Sequence, residues 1–173
     1  MVNRREFMAA GALAGAALAA SCTACRRTSY GFLKETDAAT LAAICDQIVP
    51  ADDFPSAFQA GVLHYIDLQL MGPYKRHKKA YVEGLKEANA ISRSRFGVDL
   101  AHASAQQQFE IVSAIEKGNK PFFDLVRAHT MQGYYGSPRH GGNRDAMSWR
   151  MLGLDEPPLR GRAQYDLTAG AKR

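Results

Sequence analysis

The sequence is poor in the residues that build small reaction centres. Three cysteines occur in 173 residues, Cys22, Cys25 and Cys45, and two of them lie close to the N-terminus. That number excludes a disulfide-rich scaffold and a four-cysteine zinc site. Cys22-Thr23-Ala24-Cys25-Arg26 has two-residue spacing, but Arg26 stands where a c-type haem attachment needs His. The five histidines, His64, His77, His102, His129 and His140, make no HExxH pair. There is no GxSxG elbow, no GxGxxG after a strand and no phosphate loop, so nothing marks a nucleophile or a dinucleotide site in this chain. No alternating pattern of useful length reads as a strand. Nor does any run reach the roughly 20 strongly apolar residues of a membrane span. One tryptophan, Trp149, is present.

What is present begins with an address. Residues 1–25 read as a targeting peptide, in which Arg4, Arg5 and Phe7 within Asn3-Arg4-Arg5-Glu6-Phe7-Met8 fit the twin-arginine pattern. A mildly apolar Ala/Gly stretch, Met8–Ala20, follows. Gly11 and Gly15 disfavour reading it as a first helix of the mature domain, since each costs about 1 kcal/mol relative to Ala. Two endings are open. Ala17-Leu18-Ala19 offers small residues for ordinary cleavage, and Leu18-Ala19-Ala20-Ser21-Cys22 is similar to a lipobox that would attach lipid to Cys22. Export to an oxidising compartment would also permit a Cys25–Cys45 disulfide, which sequence alone does not establish.

The net charge is +5, and loss of residues 1–21 removes one net positive charge with Arg4, Arg5 and Glu6. Lys75-Arg76-His77-Lys78-Lys79 is the one dense basic run. Composition reads it first as the solvated face of a helix, with contact to anionic lipid or phosphate as the alternative. No nucleic-acid motif accompanies it.

Beyond a linker at 26–35, the apolar period is helical. Leu41, Ile44, Cys45 and Ile48 give a first helix with Thr36 as its N-cap and Pro50 as its end. A second is expected from Pro55, with Phe58, Val62, Leu63, Ile66 and Leu70 on its apolar face. A third runs from about Tyr74 to Phe96 and stops at Gly97, with Tyr81, Leu85 and Ala88 inward. Ser104 and Gln107 form a capping box for a fourth, with Phe109, Val112 and Ile115 inward. A fifth starts near Pro121 with Phe122, Leu125, Val126 and His129 on one face.

From Gly133 the texture changes. The segment Tyr134–Asn143 reads as a loop whose glycines allow positive φ or close approach to another surface. Met147–Leu152 suggests one short turn of helix, and Pro157-Pro158 ends the compact unit. The fold expected is all-α: an irregular bundle of about five helices over 36–157, then a Gly/Tyr-rich loop within it and an extended tail at 158–173.

His129 is the best single candidate for chemistry. It reads either as a core histidine bonded to a loop carbonyl or as a ligand or proton-transfer group. Tyr134, Tyr135 and Trp149 read either as core cover or as interface.

Phe122-Phe123, His129-Thr130-Met131-Gln132-Gly133-Tyr134-Tyr135-Gly136-Ser137-Pro138, Gly141-Gly142-Asn143-Arg144-Asp145 and Trp149 together resemble the signature of the gluconate 2-dehydrogenase subunit 3 family. Ile48–Asp53, Gly61 and Ile66-Asp67 are similar to its N-terminal half. The resemblance implies a non-catalytic small subunit, with no cofactor or metal of its own. Its partner would be a large flavoprotein of the glucose-methanol-choline type carrying FAD, with a multihaem cytochrome c taking the electrons. It implies a periplasmic location reached through the twin-arginine translocase, and a role in folding and exporting the large subunit. Tyr134, Tyr135, Arg139, Asn143, Arg144, Trp149 and Arg150 are the expected contacts. Arg139 and His140 fall in the Pro–Gly interval of the motif. Two rival readings stand beside this one. They are a self-sufficient periplasmic enzyme using His129 or His140 with an Asp, and a lipoprotein binding module unrelated to redox.

Changing Arg4 and Arg5 together to Lys keeps the charge but not the guanidinium pair. Cell fractionation should then find the chain unprocessed and in the cytoplasm. Normal processing of that variant would refute the twin-arginine assignment.

Overall fold

The structure is a computed structural model, and it describes residues 30–154. The leader with Arg4, Arg5, Phe7, Cys22 and Cys25, and the tail from 155, lie outside the described residues. Six α-helices and no strand occur among the described residues: α1 Glu35–Ile48, α2 Val62–Met71, α3 Lys78–Phe96, α4 Ala105–Gly118, α5 Lys120–Tyr135 and α6 Met147–Met151. The all-α expectation therefore holds, with α6 as the short turn anticipated near 147–152. No helix among the described residues is long and apolar enough to cross a membrane.

α1 lies at the centre and packs against α2, α3, α4 and α5. Its sequence explains why it can. Ala38, Leu41, Ala43, Ile44 and Cys45 are all buried, together with Thr40, so the helix is covered on more than one side. Thr36 is not its cap. The N-cap is Lys34, whose side chain makes no capping bond, and Thr36 sits inside the first turn with its carbonyl accepting from the Thr40 hydroxyl at 3.0 Å. Glu35 and Asp37 occupy that turn and complement the positive end of the helix dipole instead.

Two boundaries and two side chains expected inward differ from expectation, each for a local reason. α2 begins at Val62 rather than near Pro55. Residues 57–61 fold back so that Ala57 N–H donates to the Val49 carbonyl at 3.0 Å, and Gly61 at φ 80° separates this turn from the helix. Phe58 consequently points outward; its N–H is held by Asp46 at 2.8 Å. Phe109 is likewise exposed on α4, where Ile111, Val112 and Ile115 take the inner face. Finally, α5 does not stop at Gly133 but continues through Tyr134 and Tyr135. Gly133 is there for packing: a Cβ on it would lie 2.8 Å from Tyr65 Cδ1 of α2. The rise of about 1 kcal/mol that Gly imposes on a helix interior is offset by that close approach.

The other signals survive. The Ser104–Gln107 capping box forms, with Ser104 N–H donating to Gln107 Oε1 at 2.9 Å. Gly97 ends α3 at φ 76°. Cys45 is fully buried, its Sγ 3.3 Å from Thr130 Oγ1. Burial pushes the thiol's pKa up to about 12, so it remains protonated.

One buried carboxylate ties the entering chain to the bundle. Asp67 on α2 accepts from the N–H groups of Gly31, Phe32 and Leu33 at 2.7, 2.9 and 2.9 Å. Removing it would strand three backbone donors, each costing about 1–3 kcal/mol where water cannot reach. Asp67→Ala should lower unfolding free energy in urea by roughly 3 kcal/mol or more and speed hydrogen exchange at 31–33. Asp67→Asn should cost less, because it keeps one acceptor. Equal stability of Asp67→Ala and wild type would show that the clamp is dispensable.

Candidate functional site

The expected contact segment is a scaffold before it is a surface. After α5, the chain passes Pro138–His140, turns at Gly141 (φ 95°) and returns through Asn143 to α6. Gly142 lies against the carbonyl of Gly133, so close that a Cβ would collide with it. A Cβ on Gly141 would meet Leu68 and His64 of α2 at 2.7 and 3.0 Å. The glycines thus serve close approach within this chain, to α2 and α5, rather than to a foreign surface.

Two of the seven expected contact residues point inward. Tyr134 is buried and donates its hydroxyl to the Pro55 carbonyl at 2.8 Å. Asn143 is wholly buried: its amide donates to the Gly136 carbonyl at 2.9 Å, and its Oδ1 accepts from Ser148 N–H at 2.9 Å. It holds φ 43°, a left-handed conformation that Asn tolerates better than most residues. The Asn143 side chain therefore closes the loop on itself, whereas Tyr134 ties α5 to the turn at Pro55 and still forms part of the wall of the groove beside Tyr135.

The other five remain at the surface. Arg139, Arg144 and Arg150 are exposed, Tyr135 is exposed, and Trp149 is half-buried with its indole N–H donating to the Tyr135 carbonyl at 2.8 Å. Trp149 therefore caps the C-terminus of α5 and leaves part of its ring outside. The backbone of Arg144 is itself fixed, its N–H donating to the Ala60 carbonyl at 2.9 Å. Beside Tyr135 runs a groove of about 280 Å³ lined by Ile48, Val49, Phe54, Met131, Tyr135 and Met151, among others. Phe54, Met131 and Tyr135 are each more than a third exposed. They give the groove an exposed apolar and aromatic edge. Nothing in the sequence alone joined Phe54 to this segment, because 77 residues separate it from Met131.

His129 sits elsewhere, in an aromatic nest. It is 5% exposed, and its Nδ1 lies 2.9 Å from the Tyr81 hydroxyl. The ring of Tyr74 stacks on it at 4.5 Å, and His77 meets it edge-on at 5.6 Å. Tyr74 and Tyr65 both donate to Gln132 Oε1, at 3.2 and 3.3 Å. The partner of His129 is thus a tyrosine, not the loop carbonyl expected and not a carboxylate. Burial, then the coulombic influence of His77 and Arg76, pulls its pKa down from 6.5 to about 4, so it is neutral at pH 7. The Tyr81 hydroxyl is held well above its usual range by burial and stays protonated. His140, the other histidine considered, is exposed. No group of three or more His, Cys, Asp or Glu among the described residues could hold a metal ion.

With this geometry in place, comparison with known families is decisive. The family described as gluconate 2-dehydrogenase subunit 3 matches residues 35–155. The chain belongs to that family. No curated protein and no solved structure matches it. As a gluconate 2-dehydrogenase subunit 3 protein, it is of a type that associates with a larger dehydrogenase complex. The match runs from the first residue of α1 past the end of α6, so the family region contains the whole bundle, the groove and the loop.

The histidine nest generates a pH prediction. The unfolded chain binds a proton at this site below about pH 6.5, while the folded chain resists until about 4. Stability from His129 is therefore complete above about 6.5 and is lost as pH falls toward 4. Between pH 7 and 4.5, urea unfolding of the wild type should lose about 2–3 kcal/mol that His129→Gln does not lose. Parallel pH profiles for the two proteins would refute a neutral, buried His129.

Proposed function

We propose that this chain is the non-catalytic small subunit of a periplasmic, FAD-dependent sugar or sugar-acid dehydrogenase. The observation that carries this reading is family membership across the whole bundle. In it, a large glucose-methanol-choline-type flavoprotein holds FAD and oxidises the substrate. Electrons leave through a multihaem cytochrome c. This chain stabilises the flavoprotein and, through the leader with Arg4 and Arg5, takes it across the membrane already folded. Lipid on Cys22 would retain the assembly at the inner membrane.

The large subunit docks on the groove beside α5 and α6. Phe54, Met131 and Tyr135 supply apolar contact, and Trp149 and Arg150 continue it along α6. Aromatics and arginine carry much of the energy at such surfaces. Asn143 acts from beneath, by fixing the loop that positions Trp149, and Tyr134 holds α5 to the turn at Pro55. The bound partner would also cover apolar area that otherwise faces water.

The complex itself provides the test. Met131→Ala with Tyr135→Ala removes two surface side chains and no internal hydrogen-bond donor. Co-purification of the flavoprotein should fall at least about ten-fold, as expected for loss of roughly 1.4 kcal/mol or more at an interface. Thermal unfolding of the small subunit should be unchanged. Undiminished recovery of the flavoprotein with a folded variant would place its contact on another face.

A further inference from the structure

We propose that the face formed by Lys75, Arg76 and Lys79 rests on an anionic bilayer surface. Three observations point there. First, the cations are placed against the local electrostatics. They lie just before and within the first turn of α3, where the helix dipole favours negative charge, and no carboxylate occupies that turn. Among the described residues Lys79 pairs only with Glu83, at 3.7 Å across an exposed i,i+4 gap, and Lys75 and Arg76 pair with no carboxylate. A helix start that accumulates positive charge has a use for it outside the helix.

Second, the face is apolar as well as basic. Met71 at the end of α2 is 48% exposed, four residues before Lys75. Lys78 lies over the Phe32 ring at 4.8 Å, which orders the neighbouring backbone without using the outer cations. Exposed apolar side chains beside lysine and arginine suit the boundary between headgroups and acyl chains.

Third, the leader joins the domain at this face. The Asp67 clamp fixes Gly31–Leu33, and Gly31 lies directly against the Met71 side chain. Cys22 is eight residues before Tyr30. On the proposed reading that Cys22 carries lipid, a tether of that length spans no more than about 29 Å even fully extended. Lipid there would keep the described domain within that distance of the bilayer. A lipobox cysteine carries a diacylglyceryl group, two acyl chains that anchor by themselves, so the basic face would set the domain's orientation on the bilayer rather than supply its attachment.

The test measures binding of the processed, purified chain to two kinds of vesicle. One is phosphatidylcholine alone, and the other contains phosphatidylglycerol. The ratio of affinities reads the basic face and is independent of any lipid on Cys22, because an acyl anchor acts on both vesicles. Absence of the anchor would show as weak binding to neutral vesicles, with the ratio intact. The wild type should prefer anionic vesicles by about ten-fold or more, with the preference shrinking as salt rises. Lys75→Gln, Arg76→Gln and Lys79→Gln together should abolish most of that preference. Lys86→Gln, Arg95→Gln and Lys117→Gln remove the same charge from exposed sites elsewhere and should retain it. If the first triple variant misfolds, Lys75→Gln and Arg76→Gln singly should each lower the ratio about five-fold. No anionic preference in the wild type, equal loss in both triple variants, or unchanged ratios in both single variants would overturn the proposal.

Discussion

Gly133 is the point at which three parts of this bundle come closest. On one side its missing side chain admits the Tyr65 ring, which brings α2 against α5. Its own carbonyl lies against Gly142, which folds the loop back onto the helix it has just left. Any larger residue at 133 would push α2 away, and any larger residue at 142 would lift the loop. Interiors packed at near-crystalline density cannot absorb such a change locally. Once the loop is down, Asn143 can bond both Gly136 and Ser148, and Trp149 can reach the carbonyl of Tyr135. The groove beside Tyr135 is a consequence of that closure, since α6 supplies one of its walls.

The buried polar groups are joints between segments distant in sequence. Asp67 holds the entering strand of chain, and Asn89 links Thr40 on α1 to the backbone of Leu100 at 2.9 and 3.0 Å. Cys45 meets Thr130, and Tyr81 meets His129. Each satisfies groups that would be costly to bury alone, and each fixes one register of packing. The neutral state of His129 belongs to the same economy. A charged imidazole beside His77 and Arg76 would add repulsion to the cost of desolvation, so the nest favours the uncharged ring.

The two surfaces that stand out differ in chemistry, and this suits a subunit that joins unlike neighbours. The groove along α5 and α6 is apolar and aromatic, the kind of surface that packs against another protein. The start of α3 is basic with exposed Met71 shortly before it, the kind that suits headgroups. They are built from different elements, so both could be occupied at once in an assembly that sits on a membrane. Family membership shows that the chain is of a type that associates with a larger dehydrogenase complex.

By itself the sequence determined the helical class and most helix cores. Period and chemistry act locally there: Leu41, Ile44 and Cys45 recur at helical spacing, Ser104 and Gln107 cap within one turn, and Gly97 stops α3 within one residue. It also carried the family resemblance, because the order of Gly, Tyr, Pro, Asn and Trp from 133 to 149 is written along the chain. Only the tertiary structure decided what those residues do. Gly133 looks like a helix stop until Tyr65, from another helix, is seen to require it. Tyr134 and Tyr135 are adjacent and chemically alike, yet Tyr134 is buried and donates to Pro55, while Tyr135 stands exposed at the edge of the groove that both help to line. Phe58 and Phe109 fit apolar patterns but face water, because neighbouring turns and Ile111, Val112 and Ile115 take the interior. A side chain's periodicity is set by its own helix, whereas its exposure depends on which distant segment arrives to cover it.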